Sequence, residues 1–346
     1  MKSIHYILIL LLFLSCKSDY VSKKTINELA DIHIIPAWAY LSWEHGKIQQ
    51  YYYKGYTLFD DSTAITEDTY FEAASLSKTI FSGLVLDYFR LNKISLDSVL
   101  VINANRRRSE NEYDRRIKSS IDYRINPSKQ SPTARKILTH TANFGDWMTP
   151  ELFLESTESG SFNYSGEGFL YLQRWIEERE NKQIDSVEGF QFMNSEAMDF
   201  SLSTNIRNIV WGHNGNLKAV RPIWYSDYPY VHGTLCCKPK AFAQWWLNYM
   251  EKPDSNLLNC QYNIDSINAR TAGLGLIETE FYELLWQHGN DTYFQNLFVH
   301  DKNTNSGFVV FTNSQNGFQF INEILGERFK KINLAVSSNG LFLISD

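Results

Sequence analysis

Phe71-Glu72-Ala73-Ala74-Ser75-Leu76-Ser77-Lys78-Thr79 opens a run in which Ile80, Phe81, Leu84, Val85 and Phe89 recur at helical spacing, which predicts a helix over 77–91. Ser75 and Lys78 then lie one turn apart on the same face. A serine hydroxyl is a poor nucleophile until a neighbouring base takes its proton, and a partly desolvated lysine can have its pKa lowered enough to act as that base. At a helix start, the dipole and unpaired backbone N–H groups also favour developing negative charge. Ser-x-x-Lys alone is common, and its bland reading is an N-capping serine beside a surface lysine. Here it leads into an apolar helix and follows a predicted hairpin, which favours the chemical reading.

That hairpin is the segment from Ile35 to Tyr56, apolar and aromatic, broken by the turn-like Glu44-His45-Gly46-Lys47. Toward the other end, Asn296–His300 and Phe308–Thr312 flank the loop Asp301–Gly307 and predict a second hairpin. Phe318, Ile321, Ile324, Leu325 and Phe329 then predict a helix packed on the same sheet, and two more helices are expected over Glu167–Glu178 and Ala241–Met250. The fold class is therefore α+β: an antiparallel sheet built from both chain ends and flanked by helices, with a helical lobe inserted roughly between 95 and 285. The domain is placed at 31–335, with 336–346 as a C-terminal tail. The mixed-charge stretch Arg106–Lys118 reads as a solvated loop without assigned function, and no internal repeat is present.

Composition bounds what such a domain can do. A 346-residue chain with 43% hydrophobic and only 21% charged residues can bury a large core. The net charge of −6 argues against a nucleic-acid partner, which would demand a basic face. Lys2 and the unbroken apolar run Ile7–Leu14 predict a signal peptide over 1–15, because a membrane span needs about 20 apolar residues. Leu12-Phe13-Leu14-Ser15-Cys16 resembles a bacterial lipobox. Cys16 is therefore expected to be lipidated and to anchor the protein to the cell-envelope membrane, with 16–30 as lipidated cysteine and polar tether, facing the periplasm or cell surface.

Cys236, Cys237 and Cys260 are the remaining cysteines; Cys260 either pairs with one of the adjacent two or all three are buried thiols. No CxxC, HExxH, phosphate loop or G-x-S-x-G elbow is present, so no metal and no cofactor is expected.

Five landmarks in order carry a resemblance. Phe71–Lys78 resembles "F-x-I-A-S-x-S-K", and Leu91-Asn92-Lys93-Ile94-Ser95-Leu96-Asp97 resembles "G-K-L-S-L-D". Ile137-Leu138-Thr139-His140-Thr141-Ala142-Asn143-Phe144 resembles "L-L-T-H-T-S-G-L". Phe162-Asn163-Tyr164-Ser165-Gly166 resembles "F-x-Y-S-N", and His232-Gly233-Thr234-Leu235 resembles "G-G-L-x-S-T". These are landmarks of the serine β-lactamase and penicillin-binding-protein superfamily, in its class C, D-aminopeptidase and family VIII esterase-like branch. The resemblance implies a β-lactamase/transpeptidase-like fold from about Ile35 to Phe329, with Ser75 acylated and Lys78 hydrogen-bonded to it. Tyr164 is implied as general base and later acid; a phenol near pKa 10 needs a neighbouring ammonium such as Lys78 to stabilise its phenolate.

The third superfamily motif, Lys-Thr-Gly or His-x-Gly, is matched by Gln287-His288-Gly289-Asn290-Asp291-Thr292-Tyr293-Phe294 in either of two registers. One puts Gln287 at the cation position and Gly289 at the glycine, with the Asn290 backbone N–H joining that of Ser75 as the oxyanion hole. The other puts His288 at the cation position and Asn290 where glycine belongs. Gly166 replaces the asparagine of Y-x-N. His140 and Thr139 read as structural, and His33, His45, His213 and His300 as incidental. The implied activity is a serine hydrolase working through an acyl-enzyme on a small ester or amide, esterase-like in preference. The alternatives are a β-lactamase or D-alanyl peptidase acting on cell-wall peptides, and a catalytically silent binding module. Trp286, Tyr293 and Phe294 are expected either to line an apolar acyl pocket or to pack in the core.

Overall fold

The computed structural model describes residues 21–59, 63–102, 132–146, 160–201, 208–220, 228–252 and 257–344. The signal segment, Cys16 and the charged stretch 106–118 lie outside them. Helix α1 (Lys23–Ile32), capped by the Ser22 side chain on the Thr25 N–H, precedes strands β1 (Ala37–Glu44) and β2 (Lys47–Gly55). The turn between them has φ of 48° at His45 and 75° at Gly46, the doubly left-handed geometry that a tight hairpin requires. A two-residue strand β3 (Phe71–Glu72) runs through a 3₁₀ turn, Ala74–Leu76, into α2 (Ser77–Leu91), the span expected from its apolar spacing.

The lobe that follows holds α3 (Ala134–Leu138), α4 (Glu167–Glu180) and α5 (Pro239–Met250). Between α4 and α5 lie five two-residue strands: β4 (Asn194–Ser195), β5 (Met198–Asp199), β6 (Gly212–His213), β7 (Ala219–Val220) and β8 (Cys236–Cys237). The chain then returns through β9 (Tyr262–Asn263), β10 (Asn268–Thr271), β11 (Leu274–Glu278), β12 (Glu283–Asn290), β13 (Gln295–Asp301) and β14 (Ser306–Thr312). Helix α6 (Gly317–Arg328) and the hairpin β15 (Leu334–Ser337) and β16 (Gly340–Leu343) complete it.

The eight-stranded sheet has the order β2-β1-β14-β13-β12-β11-β10-β9, with antiparallel neighbours. Both faces of β1 are buried, and its alternation sorts its side chains between two cores. Ala37, Ala39, Leu41 and Trp43 face the lobe, while Trp38 and Tyr40 join the layer that packs on α1 and α6.

Three boundaries differ from the sequence reading. The lobe does not extend to 285, because β9–β11 add three strands to the sheet; their apolar runs are too short to separate strand from helix by periodicity. From within the expected tether 16–30 and two residues past it, residues 23–32 form a helix that buries Ile26 and Ala30. Within and beside the expected tail 336–346, the β15–β16 hairpin buries Leu334, Val336 and Leu341 against the α6 side of the sheet. Cys236, Cys237 and Cys260 are buried free thiols. Among the described residues, no helix is long and apolar enough to cross a membrane.

Candidate active site

Ser75 sits at the middle of the 3₁₀ turn, and the residue before it is held in a left-handed conformation, Ala74 φ 48°. An L-residue with a Cβ meets a cost of about 1–2 kcal/mol there, so the turn is strained where the candidate nucleophile is presented. Ser77 fixes that turn. Its Oγ donates to the Ala74 carbonyl at 2.5 Å and accepts the Leu235 N–H at 3.0 Å, while the Ala73 N–H donates to the Leu235 carbonyl at 2.8 Å.

Lys78, only 2% exposed, projects from the first turn of α2. Its Nζ donates to Ser75 Oγ at 3.0 Å and to the His232 carbonyl at 2.7 Å. No carboxylate among the described residues bonds to it. The His232 loop is pinned by α4: Gln173 donates to the Pro229 carbonyl at 2.7 Å and accepts the Val231 N–H at 3.3 Å, and Glu177 accepts the Tyr228 hydroxyl at 2.6 Å. His232 and Ser77 went unassigned in the sequence reading. Ser77 is visible as the second serine of the Ser75-to-Lys78 motif, whereas a carbonyl contribution leaves no residue-type signal.

Tyr164 lies just before α4, with its ring 5.0 Å from Lys78 Nζ and stacked on His140 at 4.5 Å. Its hydroxyl accepts a hydrogen bond from Gln287 Nε2 at 2.9 Å, and none joins it to Ser75 or Lys78 among the described residues. Lys78 therefore meets the face of Tyr164 and not its oxygen. His140 has the structural part expected of it: Nδ1 accepts the Ser165 N–H at 3.0 Å. Burial, reinforced by Arg270 and Lys78, holds its pKa well below the ordinary imidazole value, so the ring is neutral. Gly166 N-caps α4 at the cleft wall and brings no side chain to it.

On β12 the third motif falls in the first register. A Cβ at Gly289 would come 2.3 Å from the Ala73 carbonyl oxygen, so only glycine fits where the strand passes the nucleophile turn. Gln287, fully buried, points at Tyr164. His288 has Nε2 3.2 Å from the Ser338 carbonyl, and burial with Arg270 nearby lowers its pKa to about 4. It is therefore uncharged at neutral pH.

A cleft of about 480 Å³ joins these groups: Ser75, Lys78, Tyr164, Gly166, His288 and Asn290 line it, with Asp146, Tyr230, His232 and Asp291. Lys78 is the one cation on its described walls. Trp286, Tyr293 and Phe294 do not line it, so of their two expected parts the acyl pocket is not what the structure shows. Trp286 and Phe294 are core residues, and Tyr293 and Phe294 pack over Gly212. At the cleft wall, Asp291 forms a carboxyl pair with the fully buried Glu72. Burial, and in Glu72 the neighbouring acid, raises both pKa values, Glu72 well above the ordinary carboxyl range, which favours a proton held by the pair. No metal-holding cluster of His, Cys, Asp or Glu occurs among the described residues.

Residues 23–188 match the family model described as Beta-lactamase. The penicillin-binding protein homologue from Pyrococcus abyssi, an octamer, superimposes with a TM-score of 0.68 at 12% identity, covering 93% of this chain and 88% of its own. The chain has the fold of the serine β-lactamase and penicillin-binding-protein superfamily. Within the superfamily, a class C β-lactamase gives a TM-score of 0.67 at 14% identity over 88% of this chain and 94% of the other. The D-amino acid amidase from Ochrobactrum anthropi SV3, complexed with L-phenylalanine, gives 0.65 at 13% identity over 89% and 98%. No curated protein matches the chain in sequence.

Proposed function

We propose that the protein is a serine hydrolase that forms an acyl-enzyme at Ser75 on an ester or amide, with esters preferred. The observation that carries the reading is the 3.0 Å contact between Ser75 Oγ and the buried Lys78 Nζ, at the end of a cleft large enough for a small substrate. In this mechanism Ser75 Oγ attacks the carbonyl carbon while its proton passes to the Lys78 and Tyr164 pair. The pair returns a proton to the departing alcohol or amine, and water then releases the acyl group by the reverse relay. Backbone N–H groups of Ser75 and Asn290 are proposed for the developing oxyanion. Catalytic hydrogen bonds are often long or misaligned in unliganded sites, and the Tyr164 hydroxyl is expected to reach the Ser75–Lys78 pair when substrate fills the cleft.

The ester preference rests on charge. A β-lactam or a D-alanyl peptide carries a carboxylate, which calls for a free cation. Gln287 is neutral, His288 is held neutral, and Lys78 is engaged by Ser75 and the His232 carbonyl. One observation favours the silent-module reading, namely the engagement of the Tyr164 hydroxyl by Gln287. A fluorophosphonate probe separates the two: intact mass and peptide mapping are expected to place one adduct on Ser75, absent from Ser75→Ala. An unlabelled wild type, or labelling that survives Ser75→Ala, refutes acyl transfer at this serine. We further propose that this hydrolase works in the cell envelope, anchored through Cys16.

A further inference from the structure

Beside Tyr164 and Phe162, Arg270 of β10 is buried to 5% exposure. Its guanidinium lies 4.7 Å from the Phe162 ring, 4.7 Å from Trp286 and 5.9 Å from Tyr164. The packing that creates this box is specific. Arg270 pairs across the sheet with Gly275, which pairs with Trp286, and a Cβ at Gly275 would fall 2.1 Å from the indole. The missing side chain lets the ring spread toward the arginine. Aromatic faces attract a cation, yet they do not replace the in-plane acceptors that a guanidinium fork uses. Among the described residues no carboxylate or carbonyl accepts from Arg270, and Nη1 is enclosed without a partner. Burial without a counter-charge pulls the group down to about 10, which leaves it charged at neutral pH. Buried charges are ordinarily paired.

Arg270 also lines a separate cavity of about 230 Å³, with Phe162, Leu276, Trp286, Leu341 and Phe342 as apolar walls and Asn339 beside them. A cavity of about 150 Å³ takes a benzene ring, so this one accommodates a ring with a short substituent. Its one described carboxylate, Asp265, is exposed and turned into its own loop, accepting from the backbone N–H groups of Ile267 and Asn268 and from Asn268 Nδ2.

We infer that this second cavity binds a small carboxylate with an aromatic or branched aliphatic body, its anionic end on Arg270. The site does not depend on acyl transfer at Ser75, and none of the residues lining it lines the Ser75 cleft. Titration calorimetry of the intact protein with 3-phenylpropionate, against 3-phenylpropanamide as neutral isostere, tests it. Saturable binding of the acid is expected, weakened at least about tenfold for the amide and for Arg270→Gln. Asn339→Trp, at an exposed position on the cavity wall, is expected to block binding with the arginine intact, which keeps the test decisive if Arg270→Gln fails to fold. Absence of saturable binding, equal binding of acid and amide, or binding undiminished in Arg270→Gln overturns the inference, as does full binding in Asn339→Trp.

Discussion

The side-chain amide of Gln287, on the strand that passes the Ser75 turn, donates to the Tyr164 hydroxyl at 2.9 Å. A neutral donor orients the phenol but offers no charge to a substrate carboxylate. The expected outcome is a higher kcat/KM for p-nitrophenyl butyrate than for nitrocefin on one preparation. Gln287→Lys is expected to move that ratio toward nitrocefin by about tenfold or more, since a charge-assisted hydrogen bond contributes about 1.5–3 kcal/mol. Faster turnover of nitrocefin by the wild type would sink the ester assignment.

Lys78→Ala is expected to fold and to lose acylation by about 10²–10⁴, the range for a missing general base. Circular dichroism separates lost chemistry from lost structure. An acylation rate unchanged in that variant would remove Lys78 from the mechanism.

At Gly289 the constraint is steric. An alanine Cβ would lie 2.3 Å from the Ala73 carbonyl, so either β12 or the nucleophile turn must shift. Gly289→Ala is expected to cost about 1–3 kcal/mol of stability, the usual range for overpacking, and to lower Ser75 labelling even where the protein remains folded. Normal labelling kinetics together with an unchanged Tm would contradict the close approach.

The Glu72–Asp291 pair makes a signed pH prediction. The folded-state pKa of Glu72 is raised above its unfolded value, so its contribution is fully present below about pH 4.5 and is lost as pH rises through the folded value. Stability should fall by up to about 1.4 kcal/mol per pH unit from this group across that window. Glu72→Gln supplies a permanent donor to Asp291, and should raise Tm at pH 8 relative to wild type while leaving it little changed at pH 4. A Tm difference independent of pH would show that the carboxyl is not held protonated.

Envelope anchoring is tested by labelling with radioactive palmitate in a bacterial host. Membrane-bound label that disappears in Cys16→Ala is expected; an unlabelled, freely soluble wild-type product argues against the anchor.

Much of this molecule was legible locally. The run from Ile80 to Phe89 marked α2 because one helix buries one periodic stripe, and Ser75 and Lys78 meet because three residues on a helix make one turn. The β1–β2 and β13–β14 hairpins were marked by turn residues between apolar strands. What stayed hidden was assembled from distance. Arg270 sits in an unremarkable Asn268-Ala269-Arg270-Thr271, and it becomes a boxed cation only when β12 brings Trp286 and the α4 approach brings Phe162. Neither residue is near it in sequence. The registers of the third motif were likewise equivalent on paper, and the Ala73 carbonyl pressed against Gly289 is what separates them.

The β15–β16 turn places Ser338 on the wall of the candidate active-site cleft and Asn339 on the wall of the second cavity. Synthesis runs from the other end, so the ribosome has made Ser75, Lys78 and Tyr164 long before either wall can close. β1 must likewise wait for β14, since Trp38 pairs with Thr312. A nascent or truncated chain that stops short of Ser338 therefore holds every proposed catalytic side chain but lacks part of the wall of both cavities.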